Sequence, residues 1–153
     1  MIHDIDLILE MVNSPIKKIS AKGAIVISKT FDIANARLEF ENGCVANITS
    51  SRVSEKTERK MRIFTNDIYY SLDFQNKHLK STSLKNKETN LDNNLIISSK
   101  KHIVDPTDAL ETEINKFINS YIFSSPVAVS ASDAVKALET ATLITERIQE
   151  SVI

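Results

Sequence analysis

Glycine is nearly absent from this chain, which has 153 residues and only two glycines, Gly23 and Gly43. A dinucleotide site needs a glycine-rich turn, because the backbone itself must approach the pyrophosphate. A P-loop needs similar backbone freedom. Two distant glycines can build neither. We therefore expect no NAD(P) or ATP to be bound by this chain alone, so that another segment or subunit must bind most of any such cofactor.

Cysteine, net charge and long apolar runs are also scarce. Cys44 is the single cysteine, so an internal disulfide is excluded. No apolar run approaches the roughly 20 residues of a membrane span, and the first residues lack the pattern of a secretory signal. A net charge of -1 gives no indication of a nucleic-acid or membrane partner. We therefore expect a cytoplasmic protein that binds neither nucleic acid nor membrane.

What the chain does contain is an ordinary globular composition. Hydrophobic residues make up 42% and charged residues 25% of it, and the length suits one domain with a real core. No internal repeat and no linker is visible. We therefore treat residues 1–153 as a single domain.

Apolar spacing predicts a helix at the start of the chain and strands after it. Ile2, Ile5, Leu9 and Val12 follow helical spacing, flanked by Ile8, and the pattern stops at a turn cluster, Asn13-Ser14-Pro15. A period of two then begins. The predicted strands are Ile19–Ser28, Ala34–Phe40, Cys44–Thr49, Lys60–Thr65, Ile68–Phe74, His78–Leu84 and Leu95–Val104, and residues 85–94 are expected to form an exposed loop.

A hairpin is predicted where Asn42-Gly43 separates two strand-like runs. A type I′ turn needs positive φ at both central residues, which this pair tolerates. That turn would place Phe40 opposite Val45, with Leu38 on the same face. Beyond the turn, apolar residues alternate with Val45 onto the other face as well, which predicts a strand that is apolar on both sides.

Two helices are predicted to close the chain. Asp108 with Glu111, and Ser130 with Asp133, have capping-box spacing. The apolar stripe of the first helix would be Leu110, Ile114, Phe117, Ile118 and Tyr121, and that of the second Ala134, Ala137, Leu138, Ala141, Ile144, Ile148 and Val152. The order of elements predicts an α+β fold with a mostly antiparallel or mixed open sheet and helices packed on one face.

The chain opens with a chemically suggestive cluster, His3-Asp4-Ile5-Asp6. This cluster resembles the motif at the start of the C-terminal domain of the Gfo/Idh/MocA oxidoreductases. Further similarities follow in order along the chain, in residues 36–43, residues 51–54 and the two closing helices. The stretch from Ser51 to Phe74 is most similar to members that oxidise UDP-N-acetylglucosamine at C3.

The resemblance implies an NAD- or NADP-dependent dehydrogenase of sugars or nucleotide sugars. The family motif is commonly Asp-x-x-x-His, and its histidine, the acid/base near the substrate hydroxyl, corresponds to His3. The motif's Asp would lie two residues before Met1, and the family's nucleotide-binding domain and Glu-Lys-Pro motif have no counterpart in the sequence. The resemblance therefore implies the back half of such an enzyme, as a split gene or misplaced start would produce.

The residues themselves allow several readings. His3 suits proton exchange at neutral pH, or it is a frayed terminal side chain. Asp4 and Asp6 are candidate substrate contacts, although carboxylates also stabilise a helix N-terminus. Arg52 is a candidate for the phosphates of a nucleotide sugar, although strand charges are usually solvated. No metal site is expected.

Three functions remain open from the sequence. The first is a substrate and oligomerisation domain that is inactive alone. The second is a subunit that completes an enzyme with a separately encoded nucleotide-binding chain. The third is an interaction module without a redox role. In each case we expect homo-oligomers through the open face of the sheet.

Overall fold

The computed structural model describes residues 1–85, 96–103 and 108–150. They form two compact units, Met1–Glu55 with Lys116–Ile153, and Lys56–Asn115. Among the described helices, none is long and apolar enough to cross a membrane. The elements in chain order are α1 (Ile2–Val12), β1 (Ile16–Ala24), β2 (Ile33–Phe40), β3 (Val45–Ser51), β4 (Lys60–Phe64), β5 (Ile68–Asp73), β6 (His78–Lys85), β7 (Ile96–Ile103), α2 (Ala109–Ile122) and α3 (Ala131–Glu150).

The first unit is a three-stranded antiparallel sheet, in the order β1-β2-β3, with α1 and α3 packed on it. Its core contains alternate residues of β2 and one stripe from each helix. Ile5, Leu38 and Ile144 are its largest fully buried side chains. Ile2, expected on the buried stripe of α1, is 42% exposed. The remaining buried apolar residues are Ile8, Ala36, Phe40, Ile48, Ala137 and Ile148.

The β2–β3 hairpin forms at the predicted place with a different register. Glu39, not Phe40, pairs with Val45, and the backbone N–H of Phe40 donates to the carbonyl of Cys44 at 2.9 Å. Only Gly43 has positive φ in the turn, 86°. Three residues therefore form the loop, and a glycine in the left-handed region at its third position is typical of such loops. The predicted two-residue type I′ turn is therefore wrong, because the loop has three residues. The predicted pairing of Phe40 with Val45 is off by one residue, because Glu39 takes that place.

This register also corrects the expectation that β3 is apolar on both sides. Ile48 is buried, whereas Val45, on the other face, is 42% exposed. Between the strands on that outer face, Arg37 Nη1 donates to Asn47 Oδ1 at 3.2 Å. Thr49 Oγ1 donates to Asn35 Oδ1 at 2.8 Å. The outer face of the first sheet is therefore mostly polar.

The capping boxes predicted for the closing helices differ in completeness. Asp108 Oδ1 accepts the N–H groups of Leu110 at 2.9 Å and Glu111 at 3.3 Å. At α3 the contact is reciprocal, because Ser130 Oγ accepts the N–H of Asp133, and Asp133 Oδ2 accepts the N–H of Ser130, both at 3.2 Å. The hydroxyl of Ser130 and then its backbone N–H hold the pKa of Asp133 below its usual range.

The predicted apolar stripes of the two helices are only partly buried. In α3, Ala137, Ile144 and Ile148 are buried as expected, but Leu138 is 58% exposed, because it lies about 100° around the helix from Ala137. Val152 lies outside the described residues. In α2 the prediction of a buried apolar stripe is wrong, because all five of its residues are exposed. Its exposed fractions are 64% for Leu110, 49% for Ile114, 68% for Phe117, 46% for Ile118 and 85% for Tyr121.

The second unit contains a four-stranded antiparallel sheet in the order β4-β5-β6-β7. The register separates its side chains into two faces. One, the apolar face, carries Met61, Ile63, Tyr70, Leu72 and Leu79. The other, the cationic face, carries Arg62, Lys80, Lys101, Phe64 and Tyr69. None of the described residues of this unit is fully buried.

The α+β class and the antiparallel pairing are confirmed. The described strands divide between two sheets, and the helices that pack closely belong to the first. The predicted loop at residues 85–94 falls almost wholly outside the described residues. Whether residues 1–153 act as one domain stays a prediction.

Candidate functional site

The N-terminal turn of α1 presents the His3-Asp4-Ile5-Asp6 cluster. Ile5 is fully buried and fixes this turn on the core, which leaves His3 exposed and Asp4 and Asp6 half-buried. Asp4 Oδ2 lies 3.5 Å from the Met1 ammonium. His3 thus lies on the side of α1 away from the buried Ile5 and Ile8.

The other end of α1 is fastened to the β2–β3 hairpin. Asn13 ends the helix in the left-handed conformation, with φ 43°. Asn42 Nδ2 donates to the carbonyl of Val12 at 3.3 Å, and the N–H of Asn42 donates to Ser14 Oγ at 3.2 Å. His3 precedes Val12 by nine residues, about 14 Å of helix axis. The hairpin thus fixes the direction of the helix that carries His3.

A buried carboxylate, Asp32, organises the loop between β1 and β2. Its Oδ2 accepts three consecutive backbone N–H groups, from Val26 at 2.8 Å, Ile27 at 2.8 Å and Ser28 at 3.0 Å. These bonds, the one from Ser28 first, hold the pKa of Asp32 well below its usual range, because they favour the charged form. The loop is therefore held in one conformation, with Ile27 77% exposed.

Arg52 contacts the same loop. Its Nε lies 3.8 Å from Asp32 Oδ1, and its Nη1 donates to Thr30 Oγ1 at 3.5 Å. Asp32 Oδ1 is buried and accepts no hydrogen bond, so the guanidinium provides its nearest opposite charge. The side chain of Arg52 is still 60% exposed. In this position it can stabilise the loop and also reach an anionic ligand.

Asp32 was not predicted as an important residue. A single Asp between two strand-like runs is an ordinary turn residue, and nothing local distinguishes a carboxylate that accepts three backbone N–H groups. A signal would have been an Asp placed four residues after Ser28, within reach of the backbone N–H groups before it.

The candidate residues are not joined into one network. Within residues 1–85, 96–103 and 108–150, no hydrogen bond or ion pair connects His3 with Asp6 or Arg52. In the same ranges no group of three His, Cys, Asp or Glu side chains is placed to hold a metal ion. The arrangement offers an accessible imidazole with two nearby carboxylates for proton exchange and substrate hydroxyls, and a separate guanidinium for an anion.

The surroundings of the two glycines do not fit a dinucleotide. In β1, a Cβ on Gly23 would stand 2.6 Å from Ile148 Cγ2, so this glycine serves the packing of α3. Gly43 forms the hairpin turn and is followed by a strand rather than a helix. A pyrophosphate turn needs glycines at the start of a helix. Neither Gly23 nor Gly43 is therefore placed to form a phosphate turn for NAD(P).

Comparison with known proteins finds similarity to the same family that the sequence motifs resemble. Residues 1–68 match the family model described as the GFO/IDH/MocA C-terminal domain. Over 79 residues the chain is 40% identical to UDP-N-acetylglucosamine 3-dehydrogenase from Acidithiobacillus ferrooxidans. The matched segment makes up 52% of this chain and 25% of that protein. A solved structure with that name superposes with a TM-score of 0.87 at 29% identity, over 98% of this chain and 46% of the other.

More distant structures agree on the fold alone. Levoglucosan dehydrogenase, in a complex with NADH and L-sorbose, gives a TM-score of 0.78 at 13% identity over 97% of this chain. Aldose-aldose oxidoreductase from Caulobacter crescentus gives 0.75 at 13% identity over 98%. The chain spans less than half the length of each of these solved proteins, 46% and 44%.

Proposed function

We propose that this chain, which has the C-terminal domain of the Gfo/Idh/MocA oxidoreductases, forms the substrate side of an NAD(P)-dependent dehydrogenase acting on a nucleotide sugar. The observation that carries the proposal is the 40% identity over 79 residues to a UDP-N-acetylglucosamine 3-dehydrogenase. A fold alone would not assign a function, because one fold supports many activities.

His3 is the proposed acid/base. The resemblance to the family supports this role, because the family's catalytic histidine corresponds to His3, and an exposed imidazole can receive a proton from a substrate hydroxyl. Asp6, three residues later, lies on a neighbouring part of the helix surface, where its carboxylate can bind a second hydroxyl. Asp4 has the same role in this proposal, one residue after His3. Removing His3 would then abolish proton transfer while leaving the helix in place.

The dinucleotide is proposed to be bound outside these residues, because neither glycine belongs to a phosphate turn. The chain by itself would then neither bind NAD(P) tightly nor oxidise a sugar. Calorimetry of the purified chain with NADH tests this. Micromolar affinity would contradict the proposal.

A hybrid enzyme tests the function directly. Residues 1–153 would replace the matching part of the Acidithiobacillus ferrooxidans enzyme, and NADH formation from UDP-N-acetylglucosamine would be followed. The proposal predicts activity that His3→Ala lowers about 100-fold or more, the usual contribution of a general acid/base. His102→Ala is the matched control, an exposed histidine of the second unit, and should leave the activity unchanged.

A separate nucleotide-binding chain is the second candidate arrangement, with this chain as its partner subunit. The observation that favours a partner is α2, whose apolar stripe is exposed, with Phe117 at 68% and Tyr121 at 85%. Exposed apolar patches of this kind are typical of protein contacts. Copurification of a nucleotide-binding protein with the tagged chain, lost in Phe117→Asp, would support this arrangement.

Self-association through a sheet is proposed as well, and the apolar face of the second unit is the best candidate for it. Leu72 and Met61 are opposite each other on that face and are only half-buried. A second copy would cover them in a two-fold arrangement. Leu72→Glu should turn dimers into monomers in sedimentation experiments, whereas Ser71→Glu, on the opposite face of β5, should not. A wild-type chain that is monomeric at micromolar concentration would rule out this contact.

A further inference from the structure

The sheet of the second unit has a strong excess of positive charge. Strands β4 to β7 contain one carboxylate, Asp73. They contain six cationic side chains, those of Lys60, Arg62, Lys80, Lys85, Lys100 and Lys101. The chain as a whole has a net charge of -1, so this excess is local. A local concentration of cations needs a physical explanation.

The register collects three of these cations in one row on the cationic face. Arg62 pairs with Ser71, Ser71 with Lys80, and Lys80 with Lys101. Adjacent strands lie about 4.8 Å apart, so Lys80 and Lys101 are immediate neighbours. Like charges directly opposite each other destabilise a sheet. A row of this kind therefore costs stability unless an anion neutralises it.

No anion of the described chain does so. Lys60, one row away, has Glu58 at 3.0 Å, and its charge contributes to the lowered pKa of Asp73, after the hydrogen bonds from Asn76 and the opposing effect of burial. Within the described residues, Arg62, Lys80 and Lys101 have no ion-pair partner. Their side chains are exposed. As far as the described residues show, the row is available to a further anion.

An aromatic pair lies in the next row of the same face. The rings of Phe64 and Tyr69 stack with centroids 4.9 Å apart and an angle of 29° between their planes. Phe64 is 76% exposed, an unusual position for a large apolar side chain. It follows Arg62 by two residues, about 7 Å along β4. The hydroxyls of Thr82 and Ser99 belong to the aromatic row.

We propose that the cationic face of β4–β7 binds the nucleoside diphosphate group of a nucleotide sugar. The phosphates would contact the row formed by Arg62, Lys80 and Lys101, because Arg and Lys are the usual phosphate ligands. The base would stack on Phe64, as bases do on exposed aromatic side chains. The nucleotide character of the ligand rests on the proposed function. The place of binding rests on the register, the charges and the ring pair.

The size of the row favours a single nucleotide over a nucleic-acid strand. Three cations without an ion-pair partner among the described residues, spread over about 15 Å of sheet width, match one diphosphate rather than the repeated phosphates of a polymer. Hydroxyl groups lie beside both the cations and the rings, at Ser71 and Thr82, where a ribose would lie.

Calorimetric titration of the full chain with UDP tests the site. Lys80→Gln with Lys101→Gln should weaken UDP binding about 10-fold or more, as expected for lost charge-assisted hydrogen bonds. Lys100→Gln is the matched control, because it removes the same charge from the opposite face of β7 and should change the affinity less than about twofold. Equal weakening by both would show a net-charge effect and overturn the proposal. Thermal melting of each variant verifies folding.

Pyrophosphate and a single-stranded oligonucleotide test, each on its own, whether the base stacks on Phe64 and whether the ligand is a single nucleotide. Phe64→Leu should weaken UDP binding several-fold and leave pyrophosphate binding unchanged, because only UDP has a base to stack. Pyrophosphate binding as tight as UDP binding would remove the stacking role of Phe64 and overturn the nucleotide assignment. A single-stranded oligonucleotide that binds more than about 100-fold tighter than UDP would overturn it in favour of nucleic acid.

The experiments distinguish a failure of the proposed diphosphate site from a failure of the proposed function. UDP binding requires neither NAD(P) nor His3, so His3→Ala should bind UDP as the wild type does. An inactive hybrid enzyme with intact UDP binding at this face would reject the function alone. An active hybrid whose affinity for UDP in calorimetry is unchanged by Lys80→Gln with Lys101→Gln would reject the site alone.

Discussion

Substituting Gly23 by alanine should destabilise the first unit through a clash with α3. A Cβ at this position would lie 2.6 Å from Ile148 Cγ2, 3.0 Å from the carbonyl oxygen of Ile33 and 3.2 Å from Phe31 Cδ1. Overpacking of this kind costs about 1–3 kcal/mol. Restricting the unfolded chain gives back about 0.4–1 kcal/mol. We therefore expect Gly23→Ala to lower the free energy of unfolding by about 1–2 kcal/mol, measured by urea denaturation.

A double-mutant cycle identifies the clash as the cause. Ile148→Ala alone should cost about 2–5 kcal/mol, as buried Ile→Ala changes do. Combined with Gly23→Ala, it should cost clearly less than the sum of the two, because the methyl group at 2.6 Å is gone. Gly43→Ala is the control, since its cost comes from φ 86° in open space and should add to that of Ile148→Ala. Strict additivity at Gly23 would refute the packing argument.

Three other predictions concern pH, the core and a helix cap. Because the folded pKa of Asp32 is lowered from an ordinary 3.8, its stabilisation is present above about pH 4 and is lost as the pH falls further. Asp32→Asn should therefore be less stable than the wild type at neutral pH, and it should lose less stability than the wild type on acidification. The exposed control Asp67→Asn should behave as the wild type does in both respects. In α3, Ile144→Ala should cost about 2–5 kcal/mol and Leu138→Ala well under 1 kcal/mol. Ser130→Ala should cost about 1 kcal/mol by urea denaturation, and a neutral result would show that this cap contributes nothing.

The local elements were predictable because they depend on short-range signals. Helix α1, the cap at Ser130 and most strand positions follow from spacing and capping residues that lie within a few positions of each other. The first strand is an exception, because it ends at Ala24 and not at the predicted Ser28; residues 26–28 instead donate their N–H groups to Asp32. The hairpin at Gly43 was predictable as a turn. Its register was not, because two-residue and three-residue loops both use Asn-Gly, and one residue of difference changes which side chains are opposite each other.

Burial across elements was less predictable. Leu138 has the spacing of the buried stripe of α3, yet only tertiary packing decides which neighbouring positions face the sheet. The stripe of α2 is regular and nevertheless exposed, because periodicity reports that a helix is amphipathic and not what covers it. Leu110 and Phe117 show that an apolar stripe predicts a contact without naming the partner.

The candidate site was predicted residue by residue and not as a geometry. His3 and Arg52 were selected from a family motif and a charge. They lie on an exposed helix turn and beside a loop, and their roles stay predictions. Asp32 was missed because its importance lies in three backbone N–H groups that converge only in the folded loop. The row of Arg62, Lys80 and Lys101 likewise exists only once β4 to β7 are in register.

The most direct test of the central claim is the rate of NADH formation by the hybrid enzyme with and without His3. We expect oxidation of UDP-N-acetylglucosamine by the hybrid, a loss of about 100-fold or more in kcat for His3→Ala, and no loss for His102→Ala. Equal rates for the hybrid and its His3→Ala variant would contradict the account.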